Sequence, residues 1–214
     1  MRKSVAALLC ILTLSLYGAR AYIVNHSYVI DFLPKNSVCE FGERVEMADG
    51  YYNNGRMDLS GYYIEIIDTQ IVQMESFLAV HEMTKEFLDM VGLSQSNQYL
   101  CIVTAVFDYK GTSNPIEKII DLTSLMLVGP DYYLDYSYEV NWLEGFNPML
   151  QGNSQFTIRN NASIEIELPF PIDTQSLNAV PINYFIKSEP KLLISTYPEE
   201  IYLELGEIYL NGVT

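Results

Sequence analysis

Residues Ser163-Ile164-Glu165-Ile166-Glu167-Leu168 alternate polar and apolar side chains almost without a break up to Pro169. Successive side chains of an extended chain point to opposite faces, so a period of two demands a strand with one dry and one wet side. The pattern recurs along the chain. Tyr62-Tyr63-Ile64-Glu65-Ile66-Ile67 shows it, continuing toward Ile71 and Val72. Leu192-Leu193-Ile194-Ser195 and Ile201-Tyr202-Leu203-Glu204-Leu205 form a last pair, linked by Tyr197-Pro198-Glu199-Glu200. Ser124-Leu125-Met126-Leu127-Val128 stops at Gly129-Pro130, and Phe156-Thr157-Ile158-Arg159 stops at Asn160-Asn161; both endings are turn signals. Tyr99 to Phe107 is a nearly unbroken β-branched and aromatic run, as in a central strand buried on both faces.

One stretch follows another rhythm. His81 to Val91 carries apolar residues at helical spacing and ends at Gly92, which predicts one short helix over 81–91 capping an end of the sheet stack. Short strands with frequent turn signals predict an all-β fold of two packed antiparallel sheets, a β-sandwich over 36–214. A β-barrel is the alternative. Seventeen tyrosines and nine phenylalanines against one tryptophan suit strands, and a chain that is 49% hydrophobic can bury a core.

The N-terminus has its own signature. Arg2 and Lys3 precede a charge-free apolar run from Val5 to about Tyr17, and Ala19-Arg20-Ala21 follows. That order predicts a secretory signal peptide over 1–21 and a short extension over 22–35. The run falls short of the ~20 residues of a membrane span, so no stable span is expected after cleavage; an uncleaved anchor helix is the rival. Cleavage would remove Arg2, Lys3 and Arg20 and no acid, leaving 9 basic against 27 acidic residues, a net charge of −18. Such a surface repels phosphate backbones and anionic bilayers, so nucleic acid is not an expected partner. It favours solubility and attracts cations or basic partners.

Candidate chemistry is sparse. The only histidines are His26 and His81, so no Cys–His metal spacing exists; no nucleophile elbow or triad signature accompanies His81. Glu165 and Glu167, two apart on a strand, face the same way, toward solvent. Cys39 and Cys101 would survive export and are a possible disulfide, with two buried free thiols the equal alternative. Asp49, Asn53 and Asp58, in a segment with two glycines, offer oxygen ligands for calcium, though not in an EF-hand order. The most unusual composition is Asp131-Tyr132-Tyr133-Leu134-Asp135-Tyr136-Ser137-Tyr138, followed by Trp142. Rings beside carboxylates can form a platform for sugar or peptide, with Tyr132, Tyr133, Tyr136 and Trp142 as its residues.

Several local patterns occur together: Phe41-Gly42-Glu43-Arg44-Val45, Ser60-Gly61-Tyr62-Tyr63-Ile64, Asn147-Pro148 before Gly152, Leu168-Pro169-Phe170, and Leu193-Ile194-Ser195-Thr196-Tyr197-Pro198. Their order resembles an uncharacterised bacterial family of exported domains, related in pattern to the immunoglobulin-like domains of small surface lipoproteins. The resemblance covers roughly Asn36 to Leu205. It implies an immunoglobulin-like sandwich at the cell exterior and transfers neither activity nor functional residues. Leu9 before Cys10 departs from a lipoprotein cleavage site. The resemblance also makes the N-x-S sequons at Asn25 and Asn161 accidental; in a eukaryotic host they would accept glycans. The expected function is a non-enzymatic binding or adhesion module, secreted or at the cell surface, without a cofactor and with a surface protein or glycan as partner. The alternatives are a small secreted carboxylate-dependent hydrolase and a structural accessory domain.

Overall fold

The computed structural model describes residues 35–52, 55–80, 97–111, 118–136, 146–174 and 179–211, together with Ser15 and Arg20. The chain divides into two units, Met1–Lys35 and Asn36–Thr214. In the first, Ser15 and Arg20 are helical and Lys35 opens a strand. The rest of the expected signal segment and extension lies outside the described residues, as do His26, residues 81–91 with His81, and Trp142.

The second unit is mostly β. One five-stranded sheet runs β1 (Lys35–Cys39), β13 (Glu199–Glu204), β12 (Lys191–Ser195), β8 (Met126–Val128), β9 (Tyr133–Asp135). The other runs β11 (Ser163–Asp173), β6 (Asn97–Tyr109), β5 (Tyr62–Gln73), β14 (Tyr209–Asn211), with β2 (Val45–Glu46) also on β5. Two small pairs complete it, β3 (Asp49–Tyr52) with β4 (Gly55–Asp58) and β7 (Ile120–Asp121) with β10 (Gln155–Phe156). The expectation of a purely antiparallel sandwich needs one correction: β14 lies parallel to β5.

A single buried cluster joins the inner faces of both large sheets. On the first sheet, Leu134, Leu127, Leu192 and Leu203 stand side by side across four strands. On the second, Leu210, Ile71, Cys101 and Phe170 make a comparable row. Each fully buried large side chain contributes about 1.5–3 kcal/mol, so these rows hold the sheets face to face.

The alternation in β5 survives an interruption. Tyr62, Ile64 and Ile66 are buried, then Thr69 and Ile71. A β-bulge between Ile66 and Asp68 adds Ile67, which is 40% exposed, and shifts the phase by one. Without it the distal half would turn its wrong face inward.

β6 is covered on both sides, as its composition suggests. Cys101, Val103, Ala105, Phe107 and Tyr109 enter the core between the sheets. Leu100 and Ile102 point the other way and pack under Met74, Phe77 and Leu78 of helix α1 (Met74–Val80) and under Phe146. Phe77 and Phe146 stack with ring centroids 4.6 Å apart. Among the described residues the helix between β5 and β6 is Met74–Val80, and it lies against a sheet face; the helix expected over 81–91 falls outside the described residues.

Pro169 does not end β11, which runs on through Pro171 to Asp173. The reason is its place at the sheet edge. Glu167 N–H donates to Asn147 Oδ1 at 2.9 Å and Asn147 Nδ2 donates to Glu167 O at 2.8 Å, so the backbone of residue 167 faces away from β6. Pro169 and Pro171 share that phase, and their missing N–H groups remove no ladder bond. Two shorter expectations also change. Leu122–Ser124 forms a 3-10 turn before β8, and of the 156–159 stretch only Phe156 is strand, in β10 with Gln155.

Candidate functional site

The hairpin β8–β9 forms one corner of the first sheet. Its turn is closed by Gly129 N–H donating to Tyr132 O at 2.9 Å. Gly129 is required there, because a Cβ would fall 2.3 Å from Tyr132 Cε1. The tyrosine ring therefore folds back over its own turn. Its hydroxyl lies 2.6 Å from Ser188 Oγ, and Ser188 donates to Phe185 O at 2.7 Å. Burial pushes the Tyr132 hydroxyl up to about 12, against the lowering effect of the Ser188 bond.

Beside this anchor stands helix α2 (Ile182–Lys187). Ile182, Phe185 and Ile186 turn toward the core at helical spacing, leaving Tyr184 40% exposed. Tyr184 Oη donates to Asp131 Oδ1 at 2.8 Å. Tyr132 meets Tyr184 edge-on, with centroids 6.2 Å apart and planes at 64°. Between hairpin and helix lies a cleft of about 660 Å³. Asp131, Tyr132, Tyr133, Asp173 and Tyr184 line it, with apolar surface from Leu134, Val180 and Pro181.

The expected aromatic platform is divided by strand geometry. Leu134 packs on the core, so its neighbour Tyr133 points outward and is 66% exposed. Tyr132 is half-buried. Tyr136 must be removed from the platform: it is 1% exposed and meets Phe170 edge-on at 6.0 Å. Among the described residues its hydroxyl has no hydrogen-bond partner, and burial raises its pKa. Trp142 falls outside the described residues. Tyr184 and Asp173 join the site from elsewhere in the chain. A helical pattern at Ile182, Phe185 and Ile186 would have placed Tyr184 on an exposed face, but nothing local connects it to Tyr133.

The calcium candidate has another explanation. Its segment is a hairpin in which Asp49 and Asp58 are register partners across β3 and β4. Like charges directly opposite each other repel. Arg56 answers Asp49 with Nη2–Oδ2 at 2.8 Å and Nε–Oδ1 at 3.3 Å. Lys118 Nζ lies 3.1 Å from Asp58. Hydrogen bonds from Ser60, with Lys118 behind them, lower the Asp58 carboxyl to about 2. The chain's own cations thus engage both carboxylates. Asn53 lies outside the described residues, among which no group of three or more His, Cys, Asp or Glu gathers for a metal ion.

Cys39 and Cys101 are both free thiols, so the possible disulfide is absent. They sit on strands of opposite sheets, β1 and β6. Burial raises the pKa of both, and nearby Glu43 and Glu199 raise Cys39 further. Glu165 is exposed and Glu167 half-buried. Among the described residues no helix is long and apolar enough to cross a membrane.

A family model described as "Domain of unknown function (DUF5028)" matches residues 38–201. The chain belongs to this family. The DUF5028 match begins within β1 and ends within β13, so it takes in the hairpin, helix α2 and most of both large sheets, but not β14. No curated protein and no solved structure matches the chain.

Proposed function

We propose that this DUF5028 protein is an exported, non-enzymatic module with an immunoglobulin-like sandwich, which binds a surface protein or glycan at the cell exterior through the cleft between β9 and α2. The exposure of Tyr133 carries the reading. A strand whose neighbouring residue is locked into the core holds this ring out at 66% exposure, beside a second exposed tyrosine and a concave surface. Large amphipathic rings offer wide contact area at low conformational cost, which is why tyrosine is enriched where proteins meet partners. The signal-like N-terminus and the acidic balance support a place outside the cell.

The test is retention of the labelled full chain on intact cells of its own source. The double variant Tyr133→Ala/Tyr184→Ala should lose about tenfold or more of the retained protein, a loss of contacts worth about 1.4 kcal/mol. Equal retention of variant and parent would refute the cleft as the contact surface.

One observation favours a second reading, a carboxylate-dependent hydrolase: Asp131 and Asp173 line the same cleft. Glycoside chemistry requires two such groups with separated roles. Against it, Asp131 is exposed and accepts the Tyr184 hydroxyl, far from the apolar pocket that holds a catalytic acid protonated. Release of product from chromogenic glycosides, abolished in Asp131→Asn, would establish the hydrolase.

A further inference from the structure

The chemistry of the cleft wall specifies more than the presence of a ligand. Among the described residues its charged side chains are two carboxylates, Asp131 and Asp173, and no described lysine or arginine lines it. Carboxylates only accept hydrogen bonds. Of the three tyrosine hydroxyls, that of Tyr132 is engaged with Ser188 and that of Tyr184 with Asp131. The Tyr184 contact engages Oδ1 of Asp131 at 2.8 Å. A sugar ring presents acceptors as well as donors, and this wall has few donors to meet them. A cation presents donors alone. The faces of tyrosine rings are also the negative ends of their quadrupoles and attract a cation placed over them.

We propose that the cleft receives the cationic side chain of a basic peptide segment, an arginine or a lysine held between the tyrosine rings and paired with Asp131 and Asp173. This rests on the reading of the cleft as a binding site and names its ligand class. The volume, about 660 Å³, accommodates a long side chain with its flanking backbone. The formal charge of −15 on the whole chain steers such a segment toward the protein before the cleft selects it. Arginine fits best, because its planar fork satisfies a carboxylate with two bonds while its face stacks on a ring.

The experiment uses the full chain and a fluorescent peptide alternating arginine with glycine, read by anisotropy. Its counterpart with citrulline in place of arginine keeps the shape and loses the charge. The arginine peptide should bind, and the citrulline peptide should bind about tenfold or more weakly, the loss of one charge-assisted contact set. Asp131→Asn and Asp173→Asn should each weaken binding by about three- to tenfold. Glu165→Gln removes one charge from an exposed strand position outside the cleft and should change binding by less than about twofold, since exposed charges beyond a Debye length are screened. Denaturation midpoints of the three variants provide the folding control.

Equal binding of the two peptides overturns the proposal. So does a loss in Glu165→Gln as large as in Asp131→Asn, which would assign binding to bulk charge. A neutral oligosaccharide that binds through Tyr133 while the arginine peptide does not would defeat the cation and leave the cleft as a binding site. If neither binds and Tyr133→Ala/Tyr184→Ala retains its cell-surface attachment, both readings fall together.

Discussion

Strands β6 and β9 obey the same alternation and end in opposite circumstances. β6 spans Asn97–Tyr109 inside its sheet, and both of its faces are covered from Leu100 to Ala105. β9 spans Tyr133–Asp135 at the border of the other sheet, with one residue packed inward and two exposed. The difference lies in what comes to rest on the outer face. Helix α1 and Phe146 cover Leu100 and Ile102, whereas Tyr133 stands in solvent beside a cleft. Stability therefore concentrates around β6, and the recognition proposed above falls beside β9.

Four substitutions test that separation, beginning with the largest effect. Phe107→Ala empties a fully buried site in β6 that also contacts Phe156 edge-on at 5.8 Å, and should cost about 3–5 kcal/mol in urea denaturation. A cost under about 1 kcal/mol would mean that β6 is not the packed centre of the fold. Leu100→Ala, on the face beneath α1, should cost about 2–4 kcal/mol; a negligible cost would show that face to be loosely covered. Gly129→Ala drives a methyl into the Tyr132 ring and should cost about 1–3 kcal/mol while weakening ligand binding, because the ring forms one wall of the cleft.

Tyr132→Phe removes the bond to Ser188 and should cost about 1 kcal/mol at neutral pH. It carries a pH signature as well. The folded hydroxyl is raised to about 12, above its unfolded value near 10. Its stabilising share is present in full below about pH 10 and is lost as the pH rises toward 12. Melting temperature should accordingly fall less steeply over that window in Tyr132→Phe than in the parent. Parallel slopes would mean that the hydroxyl is not buried as described.

The same contrast explains what was legible beforehand. The two-sided burial of β6 was written in consecutive apolar residues, because a strand with no wet face needs no polar alternation. The extent of β11 was not, since a proline ends a central strand and is harmless on an edge, and edge position is a tertiary fact. Nor was the bulge at Ile67 visible, as Ile66-Ile67 reads equally well in either phase. Within the aromatic segment, period two was the informative signal and composition the misleading one. It sets Tyr132, Leu134 and Tyr136 toward the interior and Tyr133 and Asp135 outward, and the observed exposures follow that division. Tyr184 could not be found locally, because the cleft is made by a helix about fifty residues further along the chain meeting the hairpin.

Amide hydrogen exchange on the full chain tests the separation of stability from recognition most directly. The amides of Cys101, Val103 and Ala105 should exchange only through global unfolding, with protection equal to the free energy from denaturation. Those of Tyr133 and Asp135 should exchange faster by about a hundredfold or more through local opening of the edge. Equal protection of β6 and β9, or rapid exchange throughout β6, would contradict the account.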